Sequence, residues 1–63
     1  MRKALKGLRI ESELTQQEIA NRLQISRSAY TNIELGKKNP SFELSIQIKK
    51  LFRYENDDIF LNS

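Results

Sequence analysis

Arg27, Ser28, Thr31 and Asn32 are the residues whose types and spacing say most about chemistry. If residues 27–35 form a helix, Tyr30 and Ile33 turn inward and these four share the outward face. A guanidinium fork, two hydroxyls and a carboxamide, with no bulky apolar group among them, make a hydrogen-bonding surface. Bond-breaking chemistry finds no support elsewhere. The chain has no histidine and no cysteine, which removes the commonest general base at neutral pH and the usual zinc ligands. Asp57-Asp58 reads as a helix start favoured by the helix dipole, not as a pair of catalytic carboxylates. No enzyme activity, metal or cofactor is expected.

The 63 residues make a single domain, 1–63, near the lower limit for independent folding. A chain this short buries only about 60% of the surface it exposes when unfolded. With no disulfide to staple it, an apolar core must suffice, helped by dimerisation if at all. Eleven Lys and Arg against eight Asp and Glu give a net charge of +3, a mild lean toward a polyanionic partner. Arg2, Lys3, Lys6 and Arg9 crowd the N-terminal third, and Glu55, Asp57 and Asp58 the C-terminal end. No apolar run nears the ~20 residues of a membrane span, and the basic start lacks a signal-peptide core, so a cytoplasmic protein without a membrane partner is expected.

Helical periodicity organises the chain. Ala4, Leu5 and Leu8 mark a surface helix over 2–12. Thr15-Gln16-Gln17-Glu18 is a capping box that opens a helix over 16–23, with Ile19, Ala20 and Leu23 inward. After a break at Gln24-Ile25, Ser26 caps the helix 27–35, which Gly36 stops. Lys37-Lys38-Asn39-Pro40 is a loop; Ser41 or Asn39 then caps a helix over about 41–53, and Asn56 or Asp57 starts a last turn holding Ile59 and Phe60. The fold class is all-α: a compact bundle of four helices plus a short C-terminal helical turn.

Helices 16–23 and 27–35, joined by so short a turn, make a helix-turn-helix, in which the second helix projects its polar face away from the bundle. Such a helix fits the major groove of B-DNA, where base edges differ in donor and acceptor pattern. Taken alone, the outward face of 27–35 reads sooner as a solvated surface, and Lys37-Lys38 as an ordinary polar loop. The surrounding pattern decides. Leu8-Arg9, Leu14-Thr15-Gln16, Glu18-Ile19-Ala20, Leu23, Ile25-Ser26, Ile33-Glu34, Gly36-Lys37 and Asn39-Pro40-Ser41, with the closing Asp58-Ile59-Phe60, stand in one register. In these residues the chain resembles the Cro and phage-repressor type of helix-turn-helix protein, the XRE family, which is lambda-repressor-like in fold.

The resemblance implies roles at matching positions. Arg27, Ser28 and Asn32 would read bases, with Thr31 beside them. Gln16 and Gln17 would touch the DNA backbone, and Lys37, Lys38 and Asn39 would run along phosphates. Arg9 and Glu34 would form a partly buried ion pair that fixes the tilt of the recognition helix. The implied partner is double-stranded DNA and the implied function transcriptional regulation, repression being the commoner outcome, on a palindromic operator, with no small-molecule effector evident. A DNA-binding antitoxin, a restriction-modification controller, and a helical interaction module that no longer binds DNA are the alternatives.

Three positions depart from the family pattern. Gln24 stands where glycine is usual, so a left-handed conformation there carries strain of roughly 1–2 kcal/mol. Lys49 replaces a small apolar residue and Leu35 a polar one. The last helix also has two apolar stripes. Phe42, Ser45, Ile46, Lys49 and Phe52 follow the family's inward pattern, and Leu44, Ile48 and Leu51 form a second stripe. Either the helix is rotated to bury the second stripe, with Lys49 outward, or that stripe closes a two-fold homodimer with Leu61 or Leu35 nearby.

Overall fold

A computed structural model describes residues 1–61. Among them the order is α1 (Lys3–Glu11), α2 (Gln16–Leu23), α3 (Arg27–Glu34), α4 (Phe42–Phe52) and a 3-10 turn (Asp58–Phe60), with no strand. The helix ends fall within a residue of the periodicity-based bounds, the usual spread at fraying termini. No helix among the described residues is long and apolar enough to cross a membrane.

Local chemistry sets each boundary. Thr15 Oγ1 accepts the Glu18 amide at 3.1 Å, and Glu18 Oε1 accepts the Thr15 amide at 2.9 Å, so both halves of the capping box form. Glu18 is held below its ordinary carboxyl value by these bonds to Thr15, the backbone amide first. Gln24 takes φ 59 and ψ 40, the left-handed conformation that the family usually gives to glycine. The Ile25 amide then bonds back to Ala20 O at 3.0 Å, closing α2. Ser26 Oγ accepts the Ala29 amide at the start of α3. At its end Gly36 adopts φ 79, and the Lys37 amide returns to Asn32 O at 2.9 Å. Of the two candidate caps for α4, Ser41 is the one used: its Oγ accepts the Leu44 amide at 3.2 Å.

The core gathers Leu5 from α1, Ile19, Ala20 and Leu23 from α2, Tyr30 and Ile33 from α3, Ile48 from α4 and Ile59 from the terminal turn. Leu8, Leu14, Leu44, Leu51, Phe52 and Phe60 pack around it.

Helix α4 takes the rotated alternative, which corrects the dimer interface expected at Leu44, Ile48 and Leu51. Ile48 is 0% exposed, and Leu44 and Leu51 lie against the core, so this stripe faces inward and is no free interface. Phe42, placed inward by the family pattern, is instead 80% exposed. Polarity decides between the stripes, although Phe52 of the first still packs against the core. Burying Phe42, Ser45 and Lys49 together would desolvate a hydroxyl and an ammonium, whereas Leu44, Ile48 and Leu51 carry no polar atom. Lys49 sits at the rim, where its Nζ reaches Asp57 Oδ1 at 2.6 Å. Leu61 remains 66% exposed, apart from the buried stripe it was grouped with.

Candidate nucleic-acid interface

On α3, Arg27 and Ser28 are exposed, and Thr31 and Asn32 half-buried. The four line one shallow concavity of about 300 Å³. Tyr30 and Ile33, buried on the opposite side, fix which edge of the helix this is.

The helix is braced from behind by α1. Arg9 Nε donates to Glu34 Oε2 at 2.9 Å and Nη2 to Oε1 at 3.1 Å, a two-pronged pairing. Arg9 Nη1 also donates to Leu14 O at 3.0 Å, which ties the α1–α2 connection to the same guanidinium. Glu34 is only 2% exposed. Burial would push its carboxyl up; hydrogen bonds and charge from Arg9 outweigh that and hold it below its ordinary range. The Tyr30 hydroxyl lies in the field of this pair, and burial drives its ionisation upward. It has no hydrogen-bond partner of its own among the described residues.

Gln16 and Thr31 take a structural task that the sequence did not disclose. Thr31 Oγ1 donates to Gln16 Oε1 at 3.0 Å, and Gln16 Nε2 lies 3.4 Å from Glu34 Oε1. The Gln16 carboxamide is therefore a rivet between the start of α2 and the body of α3. Thr31 turns its hydroxyl toward α2, so the outward hydrogen-bonding set narrows to Arg27, Ser28 and Asn32. Gln17 stays exposed and its amide donates to Asn21 Oδ1 at 2.9 Å. Main-chain amides at the first turn of a helix have no intrahelical acceptor, so Gln16 and Gln17 still offer theirs. Both residues line a groove of about 640 Å³ with Lys6, Arg9 and Arg27, and Arg27 belongs to the α3 concavity as well. The two surfaces are contiguous.

Beyond α3 the amides of Lys37 and Lys38 both bond to Asn32 O, at 2.9 and 3.2 Å. The basic loop thus hangs from the main chain of Asn32, on the outward face of α3. Lys37, Lys38 and Asn39 are all exposed.

Arg2 is the residue that sequence reasoning missed. Grouped with the other N-terminal cations, it is instead 2% exposed. Its Nε donates to Phe60 O at 2.7 Å, Nη1 to Ile33 O at 2.6 Å and to Lys38 O at 2.9 Å, and Nη2 to Asn39 Oδ1 at 2.6 Å. A signal was present: Arg2, Leu5 and Arg9 fall at i, i+3 and i+7, so both arginines lie on the apolar stripe of α1.

Two helices joined by a tight left-handed turn, the second braced by a buried ion pair and followed by a basic loop, define a helix-turn-helix domain. Residues 5–58 match the helix-turn-helix family, and the chain belongs to it. It is 36% identical to an uncharacterized HTH-type transcriptional regulator of Archaeoglobus fulgidus, over 97% of this chain and 86% of the relative. A similarly described regulator of Methanocaldococcus jannaschii is 39% identical over 97% of this chain and 92% of its own length. A shorter match joins 76% of the chain to 63% of the HTH-type transcriptional regulator YqaF of Bacillus subtilis, at 48% identity. No solved structure gives a significant match.

Proposed function

We propose that this protein is a sequence-specific transcriptional regulator that lays the exposed edge of α3 into the major groove of duplex DNA and acts chiefly as a repressor. One observation carries the reading. Arg27, Ser28 and Asn32 stand together on the solvent side of a helix whose opposite side is locked by the Arg9–Glu34 pair. Pre-set donors and acceptors on a rigid rod are what base discrimination requires, and the Arg–guanine and Asn–adenine pairings are each worth about 1–3 kcal/mol. The first-turn amides of Gln16 and Gln17 and the loop Lys37–Asn39 flank that edge, and would grip phosphates without reading sequence. The HTH-type transcriptional regulators it resembles support the same reading.

The regulator acts in the cytoplasm, on a palindromic operator, as a two-fold dimer whose recognition helices enter successive major grooves about 34 Å apart. With Leu44, Ile48 and Leu51 used in the core, the apolar groups left for such a contact include Phe42 and Leu61. Selection of bound duplexes from a random pool tests the whole reading. Enrichment of paired half-sites about one helical turn apart is expected, with Asn32→Ala losing discrimination at one base position per half-site. A pool that emerges with no shared motif would sink it.

A further inference from the structure

Among the described residues, the hydrogen bonds of the buried Arg2 guanidinium go to neutral oxygens: the carbonyls of Phe60, Ile33 and Lys38 and the side-chain oxygen of Asn39. Its main-chain amide adds a bond to Glu34 O at 2.8 Å. A buried charge held by carbonyl dipoles is a costly way to fill space, and an apolar side chain would pack there without the desolvation. The acceptors indicate what the arginine is for. Ile33 O and Glu34 O belong to the last turn of α3, where carbonyls lack intrahelical donors and the helix dipole favours a cation. Lys38 O and Asn39 Oδ1 belong to the basic loop. One rigid fork therefore sets the loop's position relative to the end of the recognition helix.

The Asn39 bond carries a further consequence. A guanidinium has donors only, so the Asn39 carboxamide must turn its oxygen inward to Arg2. The amide NH2 is then the end left for an outside acceptor, and a phosphate oxygen is such an acceptor. Lysine in place of Arg2 offers a point charge on a flexible stem and cannot hold these oxygens in one plane.

We propose that Arg2 is a positioning residue for DNA binding: its buried guanidinium holds Lys37–Asn39 against the end of α3 and turns the Asn39 amide outward, so that the loop meets the phosphate backbone preassembled. This rests on the DNA-binding reading above.

The test uses a random-sequence duplex as probe, because phosphate contacts are blind to sequence, with affinity measured over graded salt. Arg2→Lys, shown by circular dichroism to be folded at the assay temperature, binds about tenfold more weakly at low salt, the worth of one charge-assisted hydrogen bond. Its log–log salt slope stays near that of the parent, because the variant keeps the charge and the Asn39 donor that is lost is neutral. Asn39→Ala gives a similar loss, and the double variant is little worse than either single one, because both changes remove the same oriented donor. Asn39→Asp keeps an acceptor for Arg2 and so keeps the fold, yet binds weakly; it serves if Arg2→Lys does not fold. A folded Arg2→Lys with the affinity of the parent, multiplying losses in the double variant, or an unimpaired Asn39→Asp overturns the proposal while leaving DNA binding intact. A parent chain that binds no duplex at low salt overturns the DNA-binding reading itself, and this assignment with it.

Discussion

Thr31 and Gln16 are joined by a 3.0 Å hydrogen bond from the middle of α3 to the first turn of α2. Both were expected to face DNA, and each spends its side chain on the other. The helix-turn-helix angle is thereby set by a polar lock outside the apolar core, next to the Arg9–Glu34 pair.

That lock predicts a measurable coupling. Thr31→Val and Gln16→Ala each lower stability by about 0.5–1.5 kcal/mol, and the double variant loses less than their sum. Urea unfolding of the four proteins checks it; strict additivity would mean that the bond contributes nothing.

The Arg9–Glu34 pair predicts a larger, asymmetric response. Arg9→Met leaves a carboxylate buried without its partner and costs about 3–5 kcal/mol, enough to unfold much of a domain this small. Adding Glu34→Leu restores part of that loss, since the double variant strands no charge. Thermal melts of the three chains separate these outcomes.

The same pair sets the acid limit. The folded-state value of Glu34 is depressed, so its contribution is present above the unfolded carboxylate value of about 4.3 and is lost as pH falls through the lower folded value. Tyr30 is shifted the other way: its folded-state value is raised, so stability declines once the pH passes the unfolded tyrosine value of about 10. Melting temperature against pH traces both limbs. Glu34→Gln flattens the acid limb, and Tyr30→Phe flattens the alkaline one.

Gln24 offers a stabilising change. Glycine at a left-handed residue removes strain of about 1–2 kcal/mol and returns part of it as extra freedom of the unfolded chain. A net gain of about 1 kcal/mol corresponds to a rise of roughly 4–8 °C in the melting temperature of Gln24→Gly. A fall would show that Gln24 makes a compensating contact.

Helix α4 distinguishes core from surface. Ile48→Ala costs about 2–5 kcal/mol as a core truncation, whereas Phe42→Ser stays within about 0.5 kcal/mol. Comparable losses from both, in a monomer, would contradict the rotation of this helix.

Much of this architecture was legible in the residues. Thr15 and Glu18, Ser26, Gly36 and the inward Ile19, Leu23, Tyr30 and Ile33 are local signals, and cap chemistry and a 3.6-residue period place them directly. What the residues left open or hid was long-range. The rotation of α4 depended on whether Lys49 could find a partner at the rim, and that partner, Asp57, belongs to a segment read only as a helix start. Arg2 looked like surface charge because its acceptors are main-chain oxygens and an asparagine more than thirty residues away, and no side-chain pattern announces a carbonyl. Thr31 and Asn32 differ in accessible chemistry only because Gln16 lies beside one of them.

The bond from Arg2 to Phe60 O spans nearly the whole chain. Peeling the first turn would release the last, and loosening the last would strip an acceptor from the first. The first turn of α1 and the 3-10 turn should therefore open as one cooperative unit, their slowly exchanging amides sharing a single protection free energy with the tail of α3.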